Sequence, residues 1–316
     1  MPLLTTKLLQ NLDEISNEKR LPLKIVLQAI LLFSCIIIII YFYYGCSTNV
    51  QLQTWHQFTE LINTTEDLVI SENSKLKPLS GTTFCFVNIK PDDDQDQINA
   101  VQKTWMRSCN NSQFFTYKSL AKTHILPYRT IFSPLETVQE TDFWELVYGF
   151  AYSFTQISSR FEWYINAQID SFVFLQHLTD RLQRLNYQRP SVIVAQTKQD
   201  FGGLTIINHY AMELLINNLY GNDTLCPFSE RPIEGLKTCF LNAGVETIDE
   251  RQLKLHLLEY DNVRWVDHLE QELATSNNLL AITGLDSHLL YLTKLLTEER
   301  HLHNVQSNYT ECPCNQ

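Results

Sequence analysis

The fold of this chain depends on the stretch Thr83-Phe-Cys-Phe-Val-Asn-Ile-Lys-Pro-Asp-Asp-Asp94. Its first part, Thr83 to Ile89, is rich in aromatic and branched residues, which is typical of a buried strand. Pro91 and the three aspartates after it end the run in a turn. The sequence therefore predicts a folded domain that starts near Thr82 with a buried first strand.

Segments with helical and strand patterns alternate after this strand. Apolar residues at helical spacing predict helices, and short aromatic or branched runs predict strands. The expected helices are Ile98–Arg107, Asp142–Ile157, Phe172–Leu185, Tyr210–Tyr220, Ile233–Asn242 and His288–His301, and the expected strands are Phe114–Thr116, Trp163–Ala167, Val192–Ala195 and Leu204–Ile207. This alternation predicts an α/β domain with a mainly parallel sheet and helices on both of its faces.

The residues before the domain predict a membrane anchor. The apolar segment from Ile25 to Tyr44 is long enough to cross a bilayer. A cleaved signal peptide is the competing interpretation, but its apolar region is usually shorter, and no small-residue cleavage site follows here. No Lys or Arg follows the segment until Lys75, whereas four precede it, so the positive-inside rule predicts a cytoplasmic N-terminus. The predicted regions are a cytoplasmic tail (1–24), a transmembrane signal-anchor (25–44), a lumenal stem (45–81) and a lumenal domain (82–316).

Two other features agree with a lumenal location of the domain. The sequons all lie on the predicted lumenal side and predict N-glycosylation at Asn63, Asn110, Asn222 and Asn308. Six cysteines lie there as well, and an even number in an oxidising compartment favours disulfides over zinc, although six cysteines allow fifteen pairings. The interpretation leaves open the states of Cys46, Cys312 and Cys314.

Charge and composition restrict the class of partner. A net charge of −11 argues against a basic surface that binds nucleic acid, although local patches at Arg181, Arg184 and Arg189 stay open. Hydrophobic residues make up 44% of the chain, which is ordinary for a globular protein. A folded, membrane-anchored protein without a nucleic-acid partner is expected.

Four motifs occur in order along the predicted domain. They are Val101-Gln-Lys-Thr-Trp-Met-Arg-Ser-Cys109, Trp163-Tyr-Ile-Asn-Ala-Gln-Ile-Asp-Ser-Phe-Val173, Gly202-Gly203, and Cys226-Pro followed by Leu236-Lys-Thr-Cys239. In order and spacing they resemble the core 1 β3-galactosyltransferases of glycosyltransferase family 31, over roughly residues 82 to 303. The resemblance implies a GT-A-like, Rossmann-like nucleotide-sugar fold and a type II membrane protein of the secretory pathway. It also implies two disulfides, Cys85 with Cys109 and Cys226 with Cys239.

The position of the metal-binding residues of that family is altered in this chain. The resemblance implies that an active member carries three consecutive aspartates directly after the strand Trp163–Ala167. These carboxylates hold Mn²⁺ against the diphosphate of a nucleotide sugar, because hard divalent ions prefer oxygen ligands. Here the three positions are Gln168, Ile169 and Asp170. Two of the three carboxylates are therefore absent.

Two further family positions are altered. Between the second pair of cysteines the family has a Glu-Asp pair that activates the acceptor hydroxyl, and here Arg231 and Pro232 take its place. Glu230 and Glu234 would substitute only with a shift of register. A His that completes the family's metal site is matched here by Thr283, whose hydroxyl is a much poorer ligand. These positions form a degenerate family site.

Three separate losses are hard to reconcile with the parent reaction, since the metal supplies the charge that stabilises the departing diphosphate. In addition, Ile282-Thr283-Gly284-Leu285 resembles the non-catalytic branch of the family, the specific chaperones of core 1 β3-galactosyltransferase. That resemblance implies a chaperone without cofactor, metal or catalytic residue. It would reside in the endoplasmic reticulum membrane rather than the Golgi, with the galactosyltransferase as its client. Assembly into a homo-oligomer stays open.

Two alternatives remain. A divergent active β3-glycosyltransferase acting on O-glycans would use Asp170 or the acidic cluster Asp92, Asp93, Asp94 and Asp96, with altered metal needs. Against this, the cluster is expected to be a solvated loop, and Asp170 is expected to lie at a helix N-terminus. A lumenal sugar- or peptide-binding protein would keep the scaffold and have neither activity. The sequence does not locate a client-binding surface.

Overall fold

The first strand is central and buried on both faces. In the computed structural model, β1 (Leu79–Asn88) pairs in parallel with β2 (Asn111–Tyr117) on one side and with β4 (Phe161–Ala167) on the other. The side chains from Phe84 to Val87 are fully buried. A strand covered on both faces reads as a continuous apolar run, which explains this part of the sequence.

The structure describes residues 77–127, 130–133, 142–185, 188–197, 203–260 and 278–309, all within the compact unit Gln57–Gln316. The predicted tail, anchor and most of the stem, with Cys46 and Asn63, lie outside these residues, as do Cys312 and Cys314. Among the described residues, no helix has the length and apolar character needed to cross a membrane.

The described strands form a seven-stranded sheet in the order β3-β2-β1-β4-β7-β6-β8. Its other members are β3 (Thr130–Ser133), β6 (Val192–Gln196), β7 (Gly203–Asn208) and β8 (Thr247–Asp249). Strand β7 runs antiparallel to β4 and β6, whereas the other pairings in this sheet are parallel. The prediction of a mainly parallel sheet in an α/β fold is confirmed, with one reversed strand.

Helices cover both faces of this sheet. Successive residues of a strand point to opposite faces. Cys85 and Val87 share a core cluster with residues of α1 (Gln95–Lys103). Phe86 points the other way, and its ring meets that of Phe150 on α2 (Asp142–Tyr152) edge to face, with the centroids 4.8 Å apart. The expected layer of helices on each side is therefore present.

Three predicted helices change character near their C-terminal ends. The first, α1, ends at Lys103 and is followed by the 3₁₀ turn Trp105–Ser108. The second, α2 (Asp142–Tyr152), continues as the π-helical turn Ser153–Ile157, where the Ser153 hydroxyl donates a hydrogen bond to the carbonyl of Gly149. Such side-chain bonds to the preceding turn often accompany a local change of helix geometry.

The third of these helices is α4 (His209–Leu214), which also ends in a π-helical turn, Leu215–Leu219. The helix predicted over His288–His301 extends further, to Tyr309. The other helices are α3 (Leu175–Leu182), α5 (Pro232–Asn242) and α6 (Ser287–Tyr309).

The prediction of one helix over Phe172–Leu185 is wrong in its first part. Phe172 and Val173 form β5, which pairs antiparallel with β10 (Leu279–Thr283) in a second, three-stranded sheet. The third strand of that sheet is β9 (His256–Glu259). Because the partner strand lies more than a hundred residues away in sequence, local periodicity carries no signal for this pairing.

Both disulfides implied by the family resemblance are present. Cys85 is bonded to Cys109, and Cys226 is bonded to Cys239. The first connects β1 to the segment just before β2, and the second connects the turn after α4 to α5. Each closes a modest loop and restrains the unfolded chain, an effect of about 2–4 kcal/mol.

Gly203 is expected to be essential for the pairing of β6 with β7. Its φ is +152°, and a Cβ atom there would lie 2.1 Å from the carbonyl oxygen of Ala195. We therefore expect Gly203→Ala to lower the free energy of unfolding by about 2–4 kcal/mol in urea denaturation. Gly244→Ala is the control, since Gly244 also has a positive φ of +77° but has no atom within 4 Å of the added carbon. Equal losses for the two variants would contradict a steric role for Gly203.

Candidate functional site

A pocket of about 400 Å³ lies at the carboxyl ends of β1 and β4. The chain leaves β1 for β2 on one side of the sheet, whereas β4 lies on the other side, so the strand order reverses between β1 and β4. In open α/β sheets, ligands usually bind at such a switch point, outside the carboxyl ends of the strands. The topology alone therefore makes this pocket the candidate site.

The loop after β1 forms one wall of the pocket. The backbone N–H of Lys90 donates a hydrogen bond of 2.6 Å to the Asp93 carboxylate, which closes the turn around Pro91. Asp92 and Asp94 are exposed at the rim, and Asp93 is half-buried. The expectation of a solvated loop holds for the two rim aspartates, whereas Asp93 lines a pocket that the sequence did not reveal. It is wrong for Asp96, which is exposed on α1 and not in the loop.

The turn after β4 forms another part of the lining. Gln168, Ile169 and Asp170 all line the pocket and are half-buried. The side-chain amide of Gln97, on α1, donates hydrogen bonds to the carbonyls of Ile169 at 3.1 Å and Leu285 at 2.7 Å. These two hydrogen bonds connect α1 to the turn after β4 and to the segment that follows β10.

The expected position of Asp170 at a helix N-terminus is wrong. Asp170 lies in the turn between β4 and β5, where Ser171 N–H bonds the carbonyl of Gln168 at 3.1 Å, and α3 begins only at Leu175. The carbonyl of Asp170 accepts a hydrogen bond from the N–H of Leu285 at 2.9 Å. Pairing of β5 with β10 takes the place of the expected first helical turn.

The first turn of α2 supplies two more carboxylates to the pocket. Asp142 forms an ion pair with Lys90 at 2.7 Å, and about half of each side chain is exposed. Glu145 is 6% exposed and bonds Tyr117 of β2. Burial raises the pKa of Glu145 to about 7, and the nearby charges of Asp142 and Asp93 add to the shift. This carboxyl group therefore changes its protonation near neutral pH.

The pKa values of two aspartates of the lining, Asp93 and Asp170, are also raised. Burial raises the pKa of Asp93, and the charges of Asp92 and Asp170 raise it further. Burial likewise raises the pKa of Asp170. Both shifts mean that the charged forms are poorly compensated in this structure.

The other predicted site residues lie at or near the pocket, with one exception. Pro232 is the first residue of α5 and lines the pocket, and Arg231 precedes it as the N-cap. Thr283 ends β10, is only 2% exposed, and is not among the lining residues. Sequence reasoning missed Asp142 and Glu145, although acidic residues at the start of a predicted helix were a signal that could have been used.

Two of the predicted glycosylation sites have described side chains. Asn110 is exposed, and its side-chain oxygen accepts a hydrogen bond from the N–H of Thr83 at 2.7 Å. Asn222 is half-buried, and its side-chain oxygen accepts from the N–H groups of Thr224 and Leu225, each at 3.2 Å. Asn308 lies in α6 beyond the residues whose side chains are described. N-glycosylation stays a prediction at all four sequons.

The carboxylates of the pocket do not converge on one point. In the described part of the chain, no group of three or more His, Cys, Asp or Glu side chains is placed to hold a metal ion. The lining instead combines acidic groups with an apolar floor that includes Leu146 and Ile233. Such a lining is suited to a positively charged ligand with an apolar part.

Comparison with known proteins gives only structural likenesses. No family model matches the chain, and no curated protein matches it. A glycosyltransferase involved in the glycosylation of the major capsid of PBCV-1 is 8% identical, with a TM-score of 0.37 over 68% of this chain and 98% of that chain. A putative nucleotide-diphospho-sugar transferase from Desulfovibrio desulfuricans G20 is 8% identical, with a TM-score of 0.35 over 54% of this chain and 80% of that chain.

A third similar structure is the 4-diphosphocytidyl-2C-methyl-D-erythritol synthase from Anaerococcus prevotii DSM 20548. It is 10% identical, with a TM-score of 0.32 over 54% of this chain and 87% of that chain. All three likenesses are thus partial overlaps of the backbone at very low identity.

Replacing the buried carboxyl of Glu145 is expected to remove a pH dependence of stability. Below pH 4.5 the group is protonated in both states, and between pH 4.5 and about 7 only the folded state keeps the proton. The contribution of Glu145 to the free energy of unfolding therefore falls as pH rises through this window, by about 3 kcal/mol in total. Glu145→Gln should not show this loss. Its free energy of unfolding, measured by urea denaturation, should therefore rise relative to that of the native chain between pH 5 and pH 8.

The exposed Glu246→Gln is the charge-matched control. A constant difference in stability between native chain and Glu145→Gln at every pH would show that Glu145 does not titrate in this window.

Proposed function

We propose that this chain is a non-catalytic relative of the family 31 core 1 β3-galactosyltransferases that assists the folding of that enzyme in the endoplasmic reticulum. The observation that supports it is the wall of the pocket at the end of β4. There Gln168 and Ile169 occupy positions at which, by the family resemblance, an active member needs carboxylates. A domain that keeps its fold but has an altered metal site fits a protein whose function depends on binding a partner rather than on catalysis.

The pocket residues do not fit the metal and diphosphate that the family resemblance implies. The side chain of Ile169 has no atom that ligates a metal, and Thr283 is buried in β10 and is not among the lining residues. Among the described lining residues, Lys90 is the only one with a basic side chain, and it already forms an ion pair with Asp142. A nucleotide diphosphate would thus bring negative charge into an acidic pocket without a compensating cation, so we derive no transfer step.

One observation favours the second candidate, a divergent active transferase. Asp93 and Asp170 come from separate parts of the sequence and line the same pocket, together with Glu145. A carboxyl group with a pKa of about 7 suits proton transfer near neutral pH, if an acceptor hydroxyl lies within hydrogen-bond reach. The third candidate is a lumenal sugar- or peptide-binding protein, and no contact among the described residues specifically favours it over the other two.

Co-expression separates these candidates. This chain is produced with the core 1 β3-galactosyltransferase of the same organism in cells that lack their own chaperone for it, and transferase activity is measured with UDP-galactose and a GalNAc acceptor. We expect at least tenfold more activity from the pair than from the transferase alone, because unassisted client is lost to misfolding and degradation. This chain alone should give the activity of an empty vector.

The other two outcomes identify the alternatives. Activity from this chain alone would establish the divergent enzyme and contradict the proposal. If the two proteins together give no more activity than the transferase alone, and this chain alone gives none, the result would favour a binding protein that does not assist this enzyme. An unrelated membrane protein of the secretory pathway, produced at the same level, is the control for non-specific effects of overproduction, and it should not restore transferase activity.

A further inference from the structure

The pocket between β1 and β4 has a strongly one-sided charge. Its described lining contains six carboxylates, those of Asp92, Asp93, Asp94, Asp142, Glu145 and Asp170. The only basic side chain among these lining residues is Lys90, and its ammonium group lies 2.7 Å from Asp142. An excess of negative charge therefore remains around the cavity.

The hydrogen bond from the Lys90 N–H to Asp93 and the charge of the Lys90 side chain relieve this excess only in part, since the pKa of Asp93 is still raised. The half-buried Asp93 experiences the negative charges of both Asp92 and Asp170, and desolvation also disfavours its charged form. A positive group that entered the cavity between Asp93 and Asp170 would offset both effects. The cavity thus has an electrostatic reason to accept a cation.

The volume of the cavity and the apolar part of its lining indicate which kind of cation it would bind. Leu146, Ile169, Pro232, Ile233 and Leu285 contribute apolar surface to the same cavity. A cavity of about 400 Å³ is larger than one hydrated ion needs and lies in the usual range for organic ligands. Lys and Arg side chains have an aliphatic stem and a charged head, which would use both kinds of surface.

Two other ligands fit less well. A bare divalent cation would need at least three converging ligands, and the described residues contain no such group. A nucleoside diphosphate would add negative charge beside the carboxylates. An unfolded client, in contrast, exposes basic side chains next to apolar ones on extended chain.

We propose that this pocket binds a Lys or Arg side chain presented by an extended segment of the unfolded client. This inference rests on the proposed chaperone function and assigns that function a client-binding site. The ammonium or guanidinium group lies between Asp93 and Asp170, and the stem packs on Ile169 and Ile233. Charge-assisted hydrogen bonds of this kind are among the strongest in proteins.

The test uses the purified full-length chain and a capped peptide, Gly-Ser-Leu-Lys-Leu-Ser-Gly, titrated by calorimetry at low salt. The matched peptide has norleucine in place of Lys, which keeps most of the stem and removes the ammonium group. We expect the Lys peptide to bind at least tenfold more tightly, with an affinity that falls as salt is added. The double variant Asp93→Asn/Asp170→Asn should lose this preference.

Two single variants test whether the positive group binds at the pocket lining rather than elsewhere on the acidic surface. Asp96→Asn removes a charge from the same acidic run, but Asp96 is exposed on α1 and is not among the lining residues, so binding should stay within twofold. Lys90→Gln removes the competing internal cation and should tighten the Lys peptide severalfold. A pocket that instead took a nucleotide diphosphate would bind UDP, and Lys90→Gln would weaken that binding.

Equal affinity for the Lys and norleucine peptides would overturn the inference, and so would UDP binding that Lys90→Gln weakens. The double variant is also co-expressed with the transferase, with its own folding checked by urea denaturation. If the native chain restores transferase activity and the folded double variant restores it equally, the pocket is not the client site although the chaperone function stands. If the native chain restores no activity, the proposed function itself fails, whatever the peptides show.

Discussion

The parallel pairing of β1 with β4 is the constraint on which the rest of this structure depends. It places two strands that are distant in sequence side by side at the centre of the sheet, with Phe84 opposite Tyr164 and Cys85 opposite Ile165. Their carboxyl ends therefore lie next to each other, and the loops that follow both strands line the same pocket. Residues of α1, α2 and α5, with Leu285 after β10, complete the lining of a pocket whose position this pairing determines.

Much of the fold was accessible from the sequence because it rests on local patterns. The apolar runs of β1, β4, β6 and β7 are buried strands, and the helical spacing in α2 and α5 persists in the structure. The shorter strands β3, β8 and β9 were missed, because three or four residues carry too little periodicity. The strand β5 was mistaken for part of a helix, since only its distant partner β10 distinguishes the two.

The candidate site was less accessible for a related reason. The sequence predicts Asp93 as a loop residue and Asp170 as a helix N-terminal residue, and no local pattern relates the two. Their proximity depends on the order of strands in the sheet, which alternation of elements does not specify. The protonation behaviour of Glu145 likewise depends on burial beside Tyr117, and no sequence pattern indicates it. The altered positions Gln168 and Ile169 were recognisable only through the family resemblance.

The hydrogen bonds of Gln97 have a consequence for how the chain folds during its synthesis. One side-chain amide connects α1 to Ile169 and to Leu285, a contact that spans 188 residues. Ribosomes deliver the N-terminal strands first, and contacts of such high sequence separation form late. The wall of the pocket can therefore close only after the last strand has emerged and paired. The pocket of such a protein is complete only when synthesis has passed Leu285, so an occupied pocket indicates a chain that has been extended beyond this residue.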